Sequence, residues 1–267
     1  MMSAENEISR FEAQFEEKTQ ELLLLTGPSG FGGGRVPGEK FWSASIGLAA
    51  YKRPGEAAVR GDGSLTLKAD DNLLHSLQAQ VKPDSVIRAA VRADRGRPAR
   101  FMLVGGLCPA EDEELEAISA ELQKPVYLDG GELGRFTLDR QVNLFEADVQ
   151  WLGRTVRLSF EWDEDEAMED SLKTARALMG DPKGWQSRAL SQASRDLLEL
   201  KNENWLEEDE EELDEEKFEA CLELEDIEVR PDGEFCFWFG DGDLFWGHSV
   251  TVEGTLEDGP TEADIQG

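Results

Sequence analysis

The sequence predicts an α+β protein with antiparallel sheets packed against helices, in two subdomains. Three observations carry this. Short segments alternate apolar and polar residues with period two, as at Phe145, Ala147, Val149 and Trp151 and again at Val156, Leu158, Phe160 and Trp162. Longer segments place apolar residues at helical spacing, as at Trp185, Ala189, Ala193, Leu197 and Leu200. In the second half the strands come first, then two or three helices, then strands again, with no internal repeat.

In chain order, residues 1–26 are expected to form an N-terminal amphipathic helix. Ser3 would cap it, and Ile8, Phe11, Phe15 and Leu22 would form its stripe. Residues 27–39 are glycine-rich. A phosphate cradle would need Gly-Lys-Ser/Thr after a strand, and here the glycines end in Arg35-Val-Pro, so a flexible linker is expected. Residues 40–131 should form a small α+β domain. Its strands lie at 40–51, 59–67, 86–93 and 101–104. A helix over 70–81 turns Leu73, Leu74 and Leu77 inward, and another opens at Pro109. His75 falls on the surface of the first of these helices. Arg88 and Arg92 share one face of their strand, with Arg95, Arg97 and Arg100 at the turn beyond. This basic island could hold an anion, and internal pairing with carboxylates is the plainer reading.

Residues 132–267 form the second α+β domain, which ends in an aromatic hairpin. Leu152-Gly-Arg-Thr155 is the turn of its first strand pair. The run Asp163-Glu-Asp-Glu166 suggests cation binding or, more simply, the acidic start of a helix carrying Met168, Leu172, Ala175 and Met179. Asp181-Pro182 caps the next helix, which ends at Asn202-Glu-Asn-Trp205. Glu207–Glu212 reads as a solvated acidic linker or a docking tail for a basic partner, and Asp214 caps a short helix. The phase slip at Glu225-Asp226 predicts a bulge.

The closing hairpin is the densest aromatic segment. Phe235, Phe237 and Phe239 share one strand face and Cys236 and Trp238 the other, which predicts a central strand covered on both sides. Gly240-Asp-Gly-Asp243 should be a tight turn. Leu244, Trp246, His248, Val250 and Val252 would then alternate on a second strand. His248 is either a metal ligand or base beside Asp241 and Asp243, or a buried neutral histidine; the apolar row and the lack of a second local histidine favour the latter. Ser249 faces away from His248, and nothing marks Cys236 as an activated nucleophile.

Composition narrows the function classes. The 267 residues carry a formal net charge of −31, which opposes binding to nucleic acid or anionic membranes and suits either a basic protein partner or a solubility or salt-tolerance trait alone. Three scattered cysteines without CxxC, and an N-terminus without the pattern of a signal peptide, fit a cytoplasmic protein with no cofactor.

The order Leu133-Gly-Arg-Phe136, Val149-Gln-Trp-Leu-Gly-Arg154, Asn202-Glu-Asn-Trp205 and Asp241-Gly-Asp-Leu-Phe-Trp-Gly-His248 resembles the bacterial domain-of-unknown-function family numbered 2262, over roughly residues 132–267. Asp84 to Leu107 resembles the region that often precedes that domain. The resemblance implies a bacterial cytosolic protein and a fold, without a reaction. It makes Asp241, Asp243, Trp246, His248 and Trp205 the residues to examine. By class, such acidic α+β domains are similar to immunity proteins of toxin systems. Three functions remain open: a non-enzymatic module binding a basic protein, a metal-dependent or hydrolytic enzyme using His248 with Asp241 and Asp243, and a purely structural domain.

Overall fold

The structure, a computed structural model, describes residues 4–163, 168–206 and 210–267. The expected Ser3 cap, most of the 163–166 acidic run and Glu207 to Asp209 lie outside the described residues. The chain forms two compact units, Met1–Lys124 and Pro125–Gly267, each an antiparallel-rich sheet with helices packed on it.

The first unit runs α1 (Ala4–Glu12), β1 (Phe15–Thr26), β2 (Gly32–Gly34), β3 (Trp42–Lys52), β4 (Val59–Ala69), α2 (Asp71–Gln80), β5 (Val86–Asp94), β6 (Arg100–Pro109) and α3 (Glu113–Leu122). Its strand order is β1-β5-β6-β4-β3-β2, and β1 also pairs with β3, so the sheet closes on itself. Every pairing is antiparallel except β4 with β6.

The expected helix over residues 1–26 is corrected here: it stops at Glu12, and Phe15 begins a strand. Leu22 to Leu25 are all buried, Leu22 and Leu24 in one cluster and Leu23 and Leu25 in another. A run of consecutive apolar residues suits a strand covered on both faces better than an amphipathic helix. The glycine linker is corrected as well, because Gly32–Gly34 pairs with Ser43–Ser45 of β3. A Cβ at Gly33 would lie 2.9 Å from the Leu74 side chain, so the bare backbone lets α2 approach. In α2 the Asp70 carboxylate caps the Leu73 N–H; Leu74 and Leu77 point inward, His75 is exposed, and Leu73 faces solvent. Pro109 ends β6 and Asp112 caps α3, so the helix starts later than Pro109 implied.

The second unit runs β7 (Tyr127–Asp129), β8 (Arg135–Asp139), β9 (Leu144–Trp151), β10 (Arg154–Glu161), α4 (Met168–Met179), α5 (Pro182–Asn204), α6 (Glu215–Cys221), β11 (Glu223–Val229), β12 (Glu234–Gly240), β13 (Ser249–Thr255) and β14 (Gly259–Gln266). β7 pairs with β8, which places residues 127–129 in this unit rather than in the domain ending at residue 131. The eight strands follow the order β14-β13-β12-β11-β10-β9-β8-β7. Among the described residues β10 and β11 form the parallel pair, because α4, α5 and α6 intervene between them.

Asp181 and Asp214 cap α5 and α6 as their sequences predict, and the bulge falls between Leu224 and Asp226. The helices cover one face of the sheet, where Phe235, Phe237 and Phe239 join Trp151, Trp185 and Phe160 in one core. The other face of β12 was expected to be covered too. Cys236 is buried there, but Trp238 is only half-buried. Around them stand ion pairs: Arg157 with Asp226, and Arg230 with Glu228. This is a polar ladder on an antiparallel sheet with one wet face.

Candidate functional site

The site lies in the loop between β12 and β13. Gly240 pairs with Ser249, so residues 241–248 form an eight-residue loop, not the tight turn and strand expected. The reason is the Asp241 side chain, which is 5% exposed. Its Oδ1 accepts the Asp243 N–H at 3.2 Å, and its Oδ2 accepts the N–H groups of Phe245 at 2.7 Å and Gly247 at 3.1 Å. One carboxylate thereby satisfies donors that a strand would have offered to a neighbour.

Gly242, Asp243, Trp246 and Gly247 all take positive φ, which coils the loop. At Gly242 a Cβ would meet the Cys221 carbonyl oxygen at 2.5 Å, so no other residue fits between the loop and α6 without rearrangement. The loop sorts its side chains by depth. Leu244 and Phe245 sink into the core, at 4% and 0% exposed. Trp246 stands out at 62% exposed with φ 57°, a strained conformation for a bulky residue.

Trp205, which caps the C-terminus of α5, packs against this loop. Its ring lies 4.7 Å from Trp246, 5.6 Å from Phe245 and 5.6 Å from His248, centroid to centroid. His248 is half-buried, and its Nδ1 donates to the Phe245 carbonyl at 2.6 Å. A Cβ on Gly267 would lie 2.4 Å from His248 Cδ2, so the Gly267 backbone packs closely against the imidazole. The expected sealing of His248 in an apolar row is therefore corrected: it sits at the loop edge, between an indole and backbone.

The structure thus brings together Asp241, Trp246, His248 and Trp205. Asp243 is exposed beside them. Asp241 has committed both oxygens, and His248 its Nδ1, to the loop itself. Among the described residues no group of three or more His, Cys, Asp or Glu is placed to hold a metal ion. Cys236 is not activated: burial, then the Glu253 and Glu228 carboxylates, push its thiol up to about 12. Arg88 and Arg92 lie in the other unit. Arg88 is exposed with Glu21 at 3.9 Å, and Arg92 has a buried Nε with no hydrogen-bond partner among the described residues.

One residue of this region escaped the sequence reading. Lys201 is 1% exposed; its Nζ donates to the Trp205 carbonyl at 2.8 Å and to Glu210 at 2.7 Å. The signal was present, because the four-residue spacing through Ala189, Ala193 and Leu197 arrives at Lys201. Leu200, expected in that stripe, is 37% exposed. Asn202 next to it binds both the N–H and the C=O of Leu213. The end of α5 thus anchors Trp205 and the segment leading to α6. The same stretch of α5 borders a groove of about 470 Å³ lined by Arg195, Glu199, Glu203 and Glu212, with a buried Ser194 hydroxyl that has no partner among the described residues.

A one-faced sheet with a crossover of three helices, and an aromatic loop folded around one aspartate, define an α+β domain that displays a tryptophan. Residues 131–265 match the family described as uncharacterized protein conserved in bacteria (DUF2262), and the chain belongs to that family. Residues 7–122 match a domain of unknown function, DUF7021. No curated protein and no solved structure matches the chain. No helix among the described residues is long and apolar enough to cross a membrane.

Proposed function

We propose that this protein is a non-enzymatic interaction module that binds a basic protein partner through the Trp246 loop. One observation carries the reading: Trp246 is held 62% exposed, at positive φ, against Trp205. Local strain of about 1–3 kcal/mol persists only where the surrounding structure imposes it, and exposing an indole gains the fold nothing. Tryptophan is the residue most often found at the energetic centre of interfaces. The chain's net charge of −31 and the glutamate-lined groove of α5 supply attraction and orientation for a basic surface.

The enzyme reading with His248, Asp241 and Asp243 has less support, because the Asp241 carboxylate and the His248 Nδ1 are occupied in holding the loop. The test is quantitative affinity capture from the native bacterium with the full chain and with Trp246→Ala. The expected result is a basic protein retained by the first, lost from the second and released by salt. An identical set of retained proteins on both would overturn the proposal.

A further inference from the structure

The first unit contains a cavity of about 310 Å³ between α1 and the sheet. Glu7, Arg10, Phe11 and Gln14 wall it on one side, and Thr66, Lys68 and Arg100 on the other, with Ser43 at the rim. The strand face behind it follows from register. Arg92, Met102 and Thr66 lie in one row across β5, β6 and β4, and Lys68 and Arg100 share that face.

Both carboxylate oxygens of Glu7, and Oε2 of Glu39, already hold donors of the protein. Glu7 Oε2 takes the Lys40 N–H at 2.9 Å and its Oε1 the Phe41 N–H at 3.2 Å; Lys68 Nζ lies 3.1 Å from Glu7 and 2.8 Å from Glu39. The backbone N–H of Lys40, with Lys68 and the Phe41 N–H, holds the Glu7 carboxyl below its ordinary value against the effect of burial. Both glutamates are therefore paired with Lys68.

The donors are in surplus. Arg100 donates Nη1 to Asp94 at 2.5 Å and Gln14 at 3.1 Å and lays its guanidinium over the Phe15 ring at 4.9 Å; among the described residues its Nε and Nη2 make no hydrogen bond. Among the described residues, the Arg10 guanidinium and the Ser43 hydroxyl have no partner. The buried Arg92 Nε, on the same strand face but outside the cavity lining, has none either among the described residues. A molecule that fills these open donor positions brings acceptors, as an ionised carboxylate or a phosphate does. Two guanidinium groups suit either one, since their forked N–H pairs match such oxygens two at a time.

We propose that this cavity is a binding site for a small organic anion, a carboxylate or a phosphate ester, held by Arg10 and Arg100 with Ser43. The site does not depend on the Trp246 loop, so either reading can fail alone. The test uses the full ¹⁵N-labelled chain, titrated separately with inorganic phosphate and with citrate at constant ionic strength. Saturable shifts are expected for the amides of residues 7–14, 43 and 66–68. Arg10→Ala should weaken binding roughly ten- to a hundredfold, the worth of a charged hydrogen-bonded contact. Arg10 is exposed, so its removal leaves the fold intact, and Arg135→Ala in the other unit serves as the unaffected control. Saturation by phosphate alone assigns a phosphate ligand, by citrate alone a carboxylate, and by both a general anion site. Shifts that do not saturate with either probe, or binding that Arg10→Ala leaves unchanged, overturn the proposal.

Discussion

Replacing Asp241 by alanine should loosen the 241–248 loop while the sheet beneath it stays folded. The carboxylate accepts three N–H groups, from Asp243, Phe245 and Gly247. A hydrogen bond to a charged group contributes about 1.5–3 kcal/mol net, and a buried donor left without a partner costs about 1–3 kcal/mol. Phe245 is fully buried, so its N–H bears that cost; Asp243 and Gly247 belong to exposed residues, and their amides regain water. One bond lost in full and two in part give about 2–4 kcal/mol.

Amide exchange under native conditions reads this directly, because local opening sets the protection of the Phe245 N–H. At 1.4 kcal/mol per tenfold, its protection should fall roughly 30- to 700-fold, while the β9 amides keep theirs. Asp241→Asn retains one carbonyl oxygen for Phe245 and Gly247 and turns its NH₂ toward the Asp243 N–H. It should lie between the two, at about 1–2 kcal/mol. An unchanged Phe245 exchange rate in the alanine variant would refute the reasoning, since a carboxylate kept free for a substrate leaves the loop untouched when removed.

Two further expectations concern charge. Glu7, Asp94 and Asp112 all have carboxyls held below their ordinary values. For Glu7 the Lys40 N–H is the main cause; for Asp94 and Asp112, hydrogen bonds from Gly96 and Arg100, and from Leu115 and Lys52, outweigh burial. A depressed carboxyl stabilises the fold above its unfolded pKa, and that contribution vanishes as pH falls through the folded value. For Glu7 the loss therefore sets in below the ordinary 4.5. The melting-temperature gap between the protein and Glu7→Gln should be wide at about pH 7 and narrow at about pH 3; an equal gap at both would contradict the assignment. The Cys236 thiol, pushed up to about 12, should resist iodoacetamide at about pH 8 until the protein is denatured, while the exposed Cys108 reacts. Mass spectrometry of the native, alkylated protein decides this, and equal labelling of the two would refute it.

Much of this protein was legible because its code is local. The Asp181 and Asp214 caps each act three residues away, on the N–H groups of Gly184 and Lys217. The alternation along β9, β10 and the start of β12 needs only the pleat, and the motif Asp241 to His248 with Trp205 named the residues that the fold brings together. What stayed hidden depends on partners far along the chain. Leu22 to Leu25 form a strand because β5, more than sixty residues on, and β3 pair with them and close the sheet. Leu244, Trp246 and His248 alternate as a strand would, yet Asp241 gathers their backbone into a loop whose depth sorts them as core, surface and edge. The anion cavity joins Arg10 to Arg100 across ninety residues, and no spacing in the sequence announces it. Sequence by itself determined which residues prefer helix, strand or turn. The tertiary structure decided which faces meet, because burial and hydrogen-bond satisfaction are settled only when distant segments compete for the same backbone donors.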